Sequence, residues 1–170
     1  MVIRYSKVLL VGAIALFATL AAFGNITDYG SNFPFVHHVL RMDTIFPDAT
    51  ITYRAIDSIF LHHAAYIVII ALETVTAILC WWGAWRLFRH RHGPASIFNR
   101  QKSMAVTGLT LGFLVWQVGF MSIGGEWFGM WMSPEWNGVP SAFRFFMTIG
   151  VVLIYLVQKD DEIKGGRPPG

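Results

Sequence analysis

Apolar residues in this chain gather into four long blocks instead of alternating with polar ones. The blocks cover about residues 7–25, 59–88, 103–124 and 140–158, close to or above the roughly 20 residues an α-helix needs to cross a hydrocarbon core. Polar, proline- and glycine-containing segments separate them. The pattern predicts an all-α fold, a polytopic membrane four-helix bundle over residues 1–158. A long outer loop (26–57), an inner loop (89–102) and a second outer loop (125–139) join the spans, and a cytoplasmic tail (159–170) follows, loose beyond Ile163. In the first loop, Val36, Leu40 and Phe46, with Phe33 and Pro34 ahead of them, predict a short interfacial helix that caps the outer ends of the spans.

Charge sets the orientation. With both termini inside, Arg4, Lys7, Arg86, Arg89, Arg91, Arg100, Lys102, Lys159, Lys164 and Arg167 all fall on the inner side. These are ten of the thirteen Lys and Arg residues. The positive-inside rule therefore predicts N- and C-termini in the cytoplasm. Topology accounts for the net charge of +3, and no basic stripe with interleaved aromatics points to nucleic acid. Hydrophobic residues make up 55% of the chain and charged residues 14%, which excludes an ordinary soluble core. The single cysteine, Cys80, rules out an internal disulfide or a cysteine metal cluster.

The informative exception to the apolar pattern is Glu73, inside the second block. A carboxylate within a span is costly and demands a partner. Counting 1.5 Å per residue from the inner boundaries places Glu73, Gln117, Thr19 and Arg144, one from each span, about 18–22 Å outward. Arg144 is the natural counter-ion on this arithmetic, with Gln117 filling remaining hydrogen bonds. Such a pair fixes the register of the bundle and would not cycle protons readily. Helical steps from Glu73 collect His62, Tyr66, Thr76 and Cys80 into one bundle-facing stripe. The third span gives a matching stripe through Ser103, Thr107, Thr110 and Gln117, beside a small-residue spacing at Gly108 and Gly112.

His37, His38, His62 and His63 belong to the outer side. Adjacent histidines on a helix point about 100° apart, so His37 and His62 are the candidates for sharing a metal. Haem is disfavoured because no histidine lies at a span centre. No cofactor is expected beyond lipid contacts. No zinc-protease, phosphate-loop or Ser/His/Asp pattern occurs.

The run FVHHVLRMDTIFPDATITYRAIDSIFLHHAAYIVIIALETVTA (residues 35–77) resembles the signature region of a bacterial family of predicted small integral membrane proteins. That resemblance implies four spans in a bacterial inner membrane, and it carries no catalytic residues. The expectation for function is a non-catalytic accessory or assembly subunit of a larger inner-membrane complex, respiratory or photosynthetic. Its partners would be lipids and other membrane subunits, or further copies of itself. The alternative is a small proton, ion or solute transporter centred on Glu73, and the third reading is a haem- or metal-binding electron carrier.

Overall fold

Four apolar helices in the computed structural model run up and down around one another. The structure describes residues 1–163, and no strand occurs among them. Helix α1 (Val2–Thr27) leads into α2 (Tyr29–Arg41), and α3 (Ile59–Arg89) follows an irregular stretch. A short α4 (Ala95–Gln101) precedes α5 (Ser103–Leu114), which continues as a π-helical segment, Val115–Trp127. Helix α6 (Val139–Val157) returns the chain to the end where it began. Below, that end is called the termini end and the opposite one the loop end. Helices α1, α3 and α6, and the run Ala95–Trp127, are each long and apolar enough to cross a membrane.

Contacts define an antiparallel ring. Asn25 meets Glu73, and Thr19 meets Trp81, between α1 and α3. Phe17 of α1 packs on Phe145 of α6, with ring centroids 4.6 Å apart. Helices α3 and α5 make the closest approach. A Cβ on Gly83 would lie 2.5 Å from the Ala105 backbone, and one on Gly108 would lie 2.8 Å from the Cys80 sulfur. Small residues are what let two backbones come this near.

Beyond that seam α5 passes into the π segment, 13 residues long, where glycines at 119, 124 and 125 remove side chains from a wider turn. π turns are rare and usually single. Here the wider helix leaves α3, and α2 lies across the gap. Asp28, at φ −123° and ψ 48°, breaks helical geometry between α1 and α2. Helix α2 starts earlier than the cap predicted from Phe33 and Pro34 and takes Pro34 into its second turn. Phe46 lies outside it and is exposed. The helix stops at Met42, whose φ of 55° is left-handed, a conformation uncommon for a residue with a side chain. Met42 is nonetheless buried, with Val39, Phe128 and Met130, in a small core at the loop end.

The termini end is fastened by buried charge. The amines of Lys7 and Lys102 each lie 2.6 Å from Oδ2 of Asp160. Both also donate to the Gln158 carbonyl, and Lys102 to Asn99 Oδ1. Arg4 caps the carbonyls of Arg91, Gly93 and Asp161 and lies over the Phe98 ring. The start of the tail is thus tied to α1, to α4 and to Lys102 just ahead of α5. The tail expected to be loose past Ile163 lies outside the described residues.

Candidate functional site

One face of α3 carries His62, Tyr66, Glu73, Thr76 and Cys80, all buried. Their spacing of three, four or seven keeps them on one side of the helix. From Arg86, Glu73 lies about 20 Å along a core of about 30 Å, in its loop-end half. It is 3% exposed. Its partner comes from the end of α1: the Asn25 side-chain amide donates to Glu73 Oε2 at 2.8 Å. The other end of the same amide accepts from the Tyr66 hydroxyl at 3.1 Å, and that hydroxyl also reaches the Asn25 carbonyl at 3.3 Å. Asn25 suits the position because it offers a donor to the carboxyl and an acceptor to the phenol.

One helical turn toward the loop end lies a second polar group. His62 is fully buried; its Nε2 faces the Ile56 carbonyl at 2.7 Å and its Nδ1 faces His37 Nδ1 at 2.9 Å. A carbonyl can only accept, so Nε2 of His62 carries a proton. In neutral His62 the Nδ1 is then an acceptor, and His37 donates to it. Burial, then the neighbouring His62, His38 and Arg41, lower the His37 pKa from its ordinary 6.5, against a smaller opposing pull from Asp43. Beside this pair, His63 stacks on Phe33 at 4.1 Å and meets the Tyr29 hydroxyl at 2.6 Å. Tyr29 packs against Tyr66 at 4.6 Å, which brings the two polar groups together through aromatic contact.

The structure does not form the Glu73–Arg144 pair. Arg144 is exposed and donates to Ser141 at 3.1 Å. Equal depth does not imply a shared face: α6 turns Ala142 and Phe146 inward, and Arg144, two residues from each, points the other way. Gln117 is half-buried in the π segment, where its carbonyl accepts from Ser122. Thr19 is exposed and accepts from the Trp81 indole at 3.0 Å. Thr110, with Ser103 and Thr107, does not face the bundle: all three are exposed. The buried face of α5 is Ala105, Gly108, Leu109 and Gly112. A hydroxyl can face lipid because it bonds back to its own helix, as Thr107 does to the Ser103 carbonyl. Close approach requires small residues instead.

His37 and His62 do come together, but as hydrogen-bonded partners. Among the described residues no group of three or more His, Cys, Asp or Glu side chains is placed to hold a metal. Asn25 was missed in the sequence because it ends an apolar block and reads as a boundary residue.

Of the buried charges among the described residues, Arg4, Lys7, Lys102 and Asp160 are held by several partners each. Glu73 is different. One amide touches it, and among the described residues no lysine or arginine lies within ion-pair distance.

Residues 3–159 match the family described as predicted small integral membrane protein (DUF2165). The chain belongs to that family. It is accordingly an integral membrane protein, and its four long apolar helices are compatible with a membrane-spanning bundle. Neither the curated proteins nor the solved structures contain a significant match to this chain.

Proposed function

We propose that this family member is a bacterial inner-membrane subunit with both termini cytoplasmic. In this reading its working part is the carboxyl of Glu73, which takes up and releases a proton on the periplasmic side. The observation that carries it is a contrast among the described residues: the buried Glu73 carboxyl has one hydrogen bond and no counter-ion, whereas Lys7 and Lys102 pair with Asp160 and Arg4 is held by three carbonyls. Intramembrane ionisable groups mark proton and ion pathways and are functional-site candidates by default. Here Glu73 can change protonation without breaking an ion pair.

Toward the termini end the polar face closes. The Thr76 hydroxyl is spent on the Leu72 carbonyl, and Thr76 and Cys80 pack against Gly112 and Gly108. A single copy therefore offers a one-sided site, and this supports a subunit acting within a larger assembly over a lone transporter. The lysine-rich termini end supports the cytoplasmic placement.

A hydrophobic carbodiimide tests the site, because it modifies protonated carboxyls in apolar surroundings. Labelling at Glu73, mapped by mass spectrometry, should outpace labelling of the other Asp and Glu side chains and rise as pH falls. It should vanish in Glu73→Gln. Labelling spread evenly over the carboxyls, or absent from Glu73 at every pH, would remove the proposal.

A further inference from the structure

Where the π segment leaves α3, it opens a cavity of about 460 Å³. That volume is within the range of small-ligand pockets, roughly 300–1,000 Å³. Its walls are apolar: Leu72, Val68 and Ala65 on α3, Val118 and Ile123 on the π segment, and Val39 on the α2 roof. Val68, Leu72, Val118 and Ile123 are exposed, so the cavity opens sideways onto the surface that faces lipid. On the α3 side it extends from Ala65 to Leu72, about 10 Å, and on the third helix from Leu111 to Gly124, about 20 Å at α-helical rise. Half of a hydrocarbon core is about 15 Å. The cavity thus fits the reach of one leaflet, the one at the loop end.

A cation lies near the loop end of the cavity, outside its lining. The Arg54 guanidinium lies 4.6 Å over the Trp127 ring and donates to the Trp127 carbonyl at 3.1 Å. Trp127 does not line the cavity itself but is the chain neighbour of Phe128, which does. No carboxylate pairs with Arg54 among the described residues. An apolar slot one leaflet long, with an arginine at its headgroup end, matches an amphipathic anion.

We propose that this cavity binds one glycerophospholipid of the loop-end leaflet, an acyl chain lying between α3 and the π segment and the phosphate facing Arg54. The site is separate from Glu73, which faces α1. Gly119 lines the cavity, and a Cβ there would meet nothing within 4 Å. Gly119→Phe therefore fills the slot without a first clash, and Val68→Phe fills it from the opposite wall.

Native mass spectrometry of the protein extracted from its own membrane in mild detergent reads the outcome. The wild type should retain one phospholipid per chain. Either filling variant should lower retention at least tenfold while circular dichroism stays unchanged. Arg54→Gln should weaken binding of added anionic phospholipid about fivefold, the effect of one basic residue near a lipid surface. Retention untouched by both filling variants overturns the proposal. So does an isoprenoid lipid in place of the phospholipid, or affinity unchanged in Arg54→Gln.

Discussion

Replacing Gly83 by alanine probes the tightest contact in the bundle. The added Cβ would sit 2.5 Å from both Cα and N of Ala105 and 2.7 Å from its Cβ. Carbon pairs are most favourable at about 3.5–4.0 Å, so the shortfall is about 1 Å. Two of the three obstructing atoms are backbone, and no rotamer change clears them. Helices α3 and α5 must separate, and a gap of about 0.5–1 Å forfeits a quarter to a half of each contact along the seam. Overpacking costs typically ~1–3 kcal/mol, and this geometry belongs at the upper end. Alanine returns about 1 kcal/mol through helix propensity. The net expectation is a loss of about 2 kcal/mol. Reversible unfolding in mixed detergent micelles, followed by circular dichroism, measures it. Gly30→Ala is the control, since nothing lies within 4 Å of its added Cβ; it should be neutral or slightly stabilising. Adding Ala105→Gly to Gly83→Ala removes only the 2.7 Å contact, so rescue should be partial. A Gly83→Ala protein as stable as the wild type would refute this account of the seam.

Asp160→Ala leaves two buried lysines without their carboxylate and should cost about 3–5 kcal/mol in the same unfolding assay. Burial works to raise the Asp160 pKa, but hydrogen bonds and charge from Lys102 and Lys7 prevail and hold it below 3.8. The unfolded chain then binds this proton more tightly. The stabilisation is present above about pH 3.8 and is lost as pH falls through the folded value; Asp160→Asn should flatten that dependence. His37 has the same sign in a higher window: its lowered pKa means stability declines as pH drops below about 6.5, and His37→Gln should remove that component. Arg144→Ala should change stability by no more than about 0.5 kcal/mol, as for other exposed positions. A loss above 2 kcal/mol there would mean that Arg144 has a partner the monomer does not show.

The four spans and the burial of the polar face on α3 were legible because hydropathy and helical spacing are local properties. The partner of Glu73 was not. Depth arithmetic uses only the rise along each helix and carries no information about azimuth, so it could not show that Arg144 faces away, while Asn25 was disguised as the end of a span. On α5 the hydroxyls of Ser103, Thr107 and Thr110 looked like a polar seam, yet the contact face is made of Ala105, Gly108 and Gly112. The knot at the termini end was invisible for another reason. Lys7 and Asp160 are 153 positions apart, and basic residues near a span end are explained equally well by topology. The departure of the third helix from α3 depends on a π segment, and no simple periodicity announces one.

In the proposed function Glu73 exchanges a proton with the loop end through the site it shares with Asn25 and Tyr66. Difference infrared spectroscopy on oriented proteoliposomes tests it most directly, using the carboxyl C=O band assigned by its loss in Glu73→Gln. A pH jump applied at the loop-end face should change that band promptly, and the same jump at the termini face should leave it unchanged. Tyr66→Phe should shift the band by altering the Asn25 amide that holds the carboxyl. A Glu73 band that ignores pH at both faces, or follows the termini face first, would contradict the account.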